Sequence, residues 1–154
     1  MYGKEEAKAL RKRFWTSFGR YMQQFRSARG PKQKWLNYKT GVPHVFFRLH
    51  ADNRLTSIGI EIQHPDPGIR ELFYQQFEEL KMLLESSLEE EWVWEPRYFL
   101  ETGKEIARIY TERRGWNLYE DQYWSEMFPW LGRRLVALDE IWADAKIIFE
   151  DLSD

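Results

Sequence analysis

All three histidines of the chain, His44, His50 and His64, fall in one stretch that also holds Asp52, Glu61 and Asp66. A histidine beside a carboxylate can act as a base with its orienter, and two histidines with two carboxylates can hold a divalent ion. His44 and Glu61 are predicted to face each other across a β-hairpin, with His64 and Asp66 just beyond. Simpler roles account for the same residues. A cross-strand charge pair explains His44 and Glu61, and Asp66 before Pro67 has the form of a helix N-cap followed by a first-turn proline. A metal-dependent nuclease built of a helix, three strands and a helix needs an Asp near one strand and a Glu two residues before a Lys on the next. Gln63 stands where that Lys belongs. Asp52 is a turn residue, and Glu61 lies about 30 Å from it at strand rise, too far to share an ion. No catalytic residue, metal ligand or cofactor is therefore assigned.

Other catalytic patterns are missing. Gly103 and Gly115 are isolated glycines and form no phosphate-binding loop, and Ser57 lies inside a predicted strand instead of on an exposed nucleophile elbow. The chain has no cysteine, which excludes disulfides, thiolate metal sites and thiol nucleophiles and suits a reducing cytoplasm. Its start shows no signal-peptide run, and no segment approaches the length of about 20 apolar residues that spans a bilayer. The expectation is a soluble cytoplasmic protein with no membrane partner.

Charge is the stronger signal. Net charge is -2, yet residues 1–40 carry 11 Lys and Arg against 2 Asp and Glu, leaving 12 against 23 in the remainder. Lys8, Arg11, Lys12, Arg13, Arg20, Arg26, Arg29, Lys32 and Lys34 are the candidate contacts for nucleic-acid phosphates. The same charges also suit the acidic parts of this fold or of a second copy. Trp35, Trp92 and Trp116 are the tryptophans least committed to a core stripe, and so the candidates for base stacking.

The elements that must position these groups follow from hydrophobic spacing. Residues 4–28 form a basic amphipathic helix, with Ala7, Leu10, Phe14, Phe18, Tyr21 and Phe25 on one stripe and Gly30-Pro31 ending it. Residues 35–39 read as a short strand turning at 40–43 into the central hairpin. There Val45, Phe47 and Leu49, then Ile58, Ile60 and Ile62, alternate with polar or small residues. With Asp52-Asn53 as the turn, Phe47 is predicted opposite Ile58, Val45 opposite Ile60, Arg48 opposite Ser57 and Phe46 across Gly59. The open face then carries a polar cluster of His44, Arg48, His50, Glu61 and Gln63.

A single acidic helix is predicted from Pro67 to about Leu88, with Ile69, Leu72, Phe73, Phe77, Leu80, Leu84 and Leu88 buried. Glu89, Glu90 and Glu91 at its end oppose the helix dipole, so a neutralising charge is expected nearby, with the first helix one source. Trp92 to Glu95 and Ile106 to Glu112 read as the last two strands. From about Glu120 the chain is helical to near Leu152, and Pro129 predicts a kink or a fresh start at Phe128. The chain therefore reads as one α+β domain over residues 1–154 in two layers, a mainly antiparallel five-stranded sheet with three helices in the order α-β-β-β-α-β-β-α.

Several separated phrases, FWTSFGRYMQQF, WLNYKTGVPHVFFRLHADN, IGIEIQHPD, EEWVWE and ALDEIWADAK, resemble the bacterial family known as domain of unknown function 4268 from about Phe14 to Phe149. That resemblance implies no established activity and no catalytic residue. It does imply relatives fused behind nuclease-like domains. Two non-catalytic readings stand: a protein-interaction or self-assembly domain, supported by off-stripe Val136, Ile141 and Ile147, and a nucleic-acid-associated module using the basic face of residues 4–34.

Overall fold

The structure is a computed structural model and describes residues 3–153. Among the described residues the elements are α1 (Lys4–Met22), β1 (Val45–Ala51), β2 (Leu55–Ile62), α2 (Pro67–Glu79), α3 (Lys81–Leu88), β3 (Val93–Phe99), β4 (Glu105–Arg114) and α4 (Trp124–Ser153), with a 3₁₀ turn at Asp121–Tyr123 leading into α4. The class is α+β. The sheet has four strands in the order β1-β2-β4-β3, all antiparallel, so two hairpins join through β2 and β4.

Three predicted features are corrected. Residues 35–39 are an irregular segment, which removes the fifth strand. Left-handed φ at Asn37 and Gly41 breaks the extended run. Tyr38 and Thr40 bond to α4 instead of to a ladder, through Asp139 Oδ1 and Trp142 Nε1 respectively. The first helix ends at Met22, well before residue 28. Buried Asp139 accepts hydrogen bonds from Ser27 Oγ and the Ala28 N–H, both at 2.7 Å, and draws that stretch off the helix axis. The acidic helix is broken at Leu80, whose amide bonds back to the Phe77 carbonyl, so four α-helices replace three. At Pro129 α4 does not start afresh, since the helix is continuous from Trp124 to Ser153.

The hairpin keeps its predicted faces but shifts by two residues. Phe47 pairs with Ile60, Leu49 with Ile58 and Val45 with Ile62. The cause is Asp52. Its Oδ1 accepts the amides of Arg54 and Leu55 at 2.8 and 2.7 Å, so Asp52 opens the turn and Asn53-Arg54 become its centre. An even shift leaves each side chain on its own face, and Phe47, Ile58, Ile60 and Ile62 are all buried in the main core. Gly59 lies between Arg48 and Tyr110, and a Cβ there would stand 2.7 Å from Tyr110 Cβ. Tyr110, not Phe46, occupies the space the glycine leaves.

The helices close over one face of the sheet. Trp142 and Phe149 of α4 pack on Phe77 of α2, and Trp142 also meets Phe47 of β1 edge to face at 5.6 Å. Phe14 of α1 meets Trp124 and Phe128 of α4. Gly132 allows this approach, because a Cβ there would lie 2.9 Å from Met22 Sδ.

Candidate functional site

The open face of the sheet carries the predicted polar cluster in a different pairing. His44 does not face Glu61: the two-residue shift sets Glu61 opposite Phe46 and brings His44 beside His64, ring centroids 4.7 Å apart. Glu61 is buried, accepts from Gln63 Nε2 at 2.7 Å and lies 3.9 Å from Arg108 Nε. Arg108 spans Tyr98 and Tyr110, 4.8 and 4.0 Å from the ring centroids, and Tyr110 donates to Glu95 at 2.6 Å. Gln63 also accepts from Lys104, Arg48 lies over Phe46, and His50 pairs with Asp52 at 2.8 Å. Burial raises the Asp52 carboxyl, but bonds from the Arg54 amide, His50 and the Leu55 amide outweigh it and hold the group below the usual carboxylate range. Among the described residues no three His, Asp or Glu come together as a metal-holding group. Ion pairs, hydrogen bonds and ring contacts engage the predicted groups on this face, although His44 meets only the His64 ring and Arg108 Nε has no hydrogen-bond partner among the described residues.

The basic segment is different. Lys8, Arg11, Lys12, Arg13, Arg20, Arg26, Lys32 and Lys34 are exposed, and Arg29 is half-buried. Arg13 is ion-paired with Asp121 and stacked on Trp124, Arg11 donates to the Tyr119 hydroxyl, and Arg29 donates to the Lys39 carbonyl. Among the described residues Lys8, Lys12, Arg20, Arg26, Lys32 and Lys34 form no ion pair. Three of the acidic residues expected to neutralise them are engaged elsewhere: Glu89 and Glu90 pair with Arg133 and Arg134 of α4, and Glu85 with Lys81.

Lys8, Lys12, Thr16 and Arg20 recur every four residues and so share one line along α1. That line covers about 18 Å at helical rise and leads into an open groove of ≈ 1190 Å³ between α1 and residues 25–37. Arg20, Arg26 and Lys34 line the groove beside Phe25, Trp35 and Asn37. The far wall is held by the three bonds to Asp139 and by Trp35 Nε1, which donates to the Phe25 carbonyl. Burial and then Asp139 push the Tyr38 hydroxyl well above the usual phenol range, so it stays a donor in that lock. Gly19 lets the wall close in, since a Cβ would stand 2.9 Å from Leu36 Cδ1. Of the three stacking candidates, Trp92 and Trp116 are buried and Trp35 alone reaches this groove. The four-residue spacing of Lys8, Lys12 and Arg20 was readable in the sequence; Phe25 and Asn37 carried no such signal, because their place depends on how residues 23–44 fold back onto α4.

The fold and this groove define an α+β domain with a fully antiparallel sheet and a basic, aromatic-lined cleft on its helical side. The chain belongs to the family described as domain of unknown function (DUF4268), whose model matches residues 10–146. No significant match to a curated protein or to a solved structure is found. Among the described residues no helix is long and apolar enough to cross a membrane.

Proposed function

We propose that the domain is a non-catalytic nucleic-acid-binding module and that the cleft between α1 and residues 25–37, with the Lys8–Lys12–Arg20 line, receives the phosphate backbone. The observation that carries this reading is the set of exposed cations that form no ion pair among the described residues, while Glu85, Glu89 and Glu90 are held by Lys81, Arg133 and Arg134. A line of about 18 Å spans about five phosphates of one strand. In a fluorescence-anisotropy titration, affinity for labelled DNA should fall steeply with salt. For a single strand, the triple variant R20E/R26E/K34E should lower the slope of log K against log salt by about 2. An absence of binding at low salt, or an unchanged slope in the variant, would rule the reading out.

A second reading, docking of a protein partner or a second copy, is favoured by Met82, which is 86% exposed on α3 with Leu83 at 49%. The surface first suggested for it contracts: Ile141 is buried and Val136 packs against the core, leaving Ile147 exposed. Light scattering that gives a monomer at high concentration, unchanged by M82E, would remove the self-assembly form of this reading.

A further inference from the structure

Behind the cleft is a second cavity, of ≈ 310 Å³, at the free edge of β1. Its walls are Trp15 of α1, Trp35 and Tyr38 of the irregular segment, and Phe47 and Leu49 of the strand. Trp35, Leu36 and Asn37 line both spaces, so the cavity and the basic cleft share one rim. The volume is at the lower end of the roughly 300–1,000 Å³ typical of small-ligand sites.

The strand register determines what this cavity presents. The Gln63 amide donates to the His44 carbonyl and the Asp52 amide to the Leu55 carbonyl. Antiparallel alternation then turns the even-numbered residues of β1 toward β2, and the odd-numbered ones outward. At one end the outward groups are capped: the Val45 amide donates to the Val42 carbonyl, and its carbonyl accepts from Thr40 Oγ1 at 2.7 Å. Beyond the other end, the Leu118 amide closes on the Asp52 carbonyl at 3.0 Å. Between these closures Phe47, Leu49 and Ala51 each turn an N–H and a C=O outward with no such partner among the described residues, and the first two of these residues line the cavity. The gap is too short for an added strand and is walled by rings. Asn37 sits on the shared rim in a left-handed conformation, φ 57°, and its side-chain amide makes no hydrogen bond among the described residues.

We infer that this cavity takes an unpaired nucleobase of a single-stranded nucleic acid whose backbone lies in the cleft. Rings supply stacking, the edge of β1 and the Asn37 amide supply donors and acceptors for a base edge, and the adjoining cations take the phosphates. A base paired within a duplex cannot enter. This inference rests on the nucleic-acid reading above and makes it specific.

The test is anisotropy with three labelled probes of equal charge: a single strand, a duplex and an abasic strand. The single strand should bind about tenfold more tightly than either of the others. Trp35→Ala should abolish that preference, lowering affinity for the single strand by about tenfold more than for the abasic strand. Asn37→Gly, which keeps the left-handed backbone and so preserves the fold, should reduce it several-fold. Equal binding of all three probes by the unmodified protein, with all three lost in R20E/R26E/K34E, would overturn the base cavity and leave the backbone reading standing. No binding of any probe would overturn both. Displacement of the strand by a nucleoside monophosphate at the same concentration of bases would also overturn it, since the strand would then contribute nothing.

Discussion

Tyr38 links the lock on the cleft to pH. Its hydroxyl donates to Asp139 at 2.6 Å, with Arg29 5.6 Å from its ring centroid. The folded-state pKa is raised above the unfolded value of about 10, so the bond's contribution is fully present below pH 10 and is lost as pH rises through the folded value. Tyr38→Phe should cost about 2 kcal/mol near neutral pH, the usual scale for a hydrogen bond to a charged group. Above pH 10 the variant should lose less further stability than the parent, as read from urea midpoints against pH. Tyr110, raised by burial and then by Glu95, should join Tyr38 as the last phenols to ionise in an absorbance titration of the folded protein.

At the scale of elements, the sheet is held together at its centre by contact between β2 and β4. Gly59 there has no room for a side chain: besides Tyr110 Cβ, a Cβ would lie 3.0 Å from the Ile109 carbonyl oxygen, a backbone atom that cannot swing aside. Gly59→Ala should therefore destabilise by about 2 kcal/mol, the usual cost of overpacking, measured as a shift of the urea midpoint at constant slope. The hairpin shows how far a strand pattern can be read. Period-two alternation assigned Phe47 and Ile60 to one face, and that assignment survives any even shift. Which even register forms was decided by Asp52 side-chain hydrogen bonds, which alternation does not encode. His44 and Glu61 were paired wrongly for that reason. Pro129 is the opposite case: a helix-breaking residue lies inside α4, whose flanks are held by the core contacts of Trp124, Met127 and Leu131.

Across the whole molecule charge is segregated, not balanced. The sequence pI is about 6.0, yet the α1 side presents cations without ion-pair partners while Glu89 and Glu90 pair with Arg133 and Arg134. A surface field of this kind acts locally, whatever the net charge. The protein should be retained on a cation-exchange resin at pH 7.5 in low salt, and K8E/K12E/R20E should elute in the flow-through. Elution of both at the same salt would mean that the basic face is too weak to act alone.

The sequence by itself determined the α+β class, the central hairpin and which residues share each of its faces, the N-cap at Asp66 and the basic character of the first helix. Each of these depends on local periodicity or on a residue's own backbone chemistry. Tertiary structure alone decided that residues 35–39 leave the sheet, that Asp139 ends α1 early by holding Ser27, Ala28 and Tyr38, and that Trp35 and Asn37 stand between a cleft and a cavity. Those outcomes come from one buried carboxylate more than a hundred residues away in sequence from the groups it holds. Its need for donors in a space without water outweighs the local preference of the segment it binds.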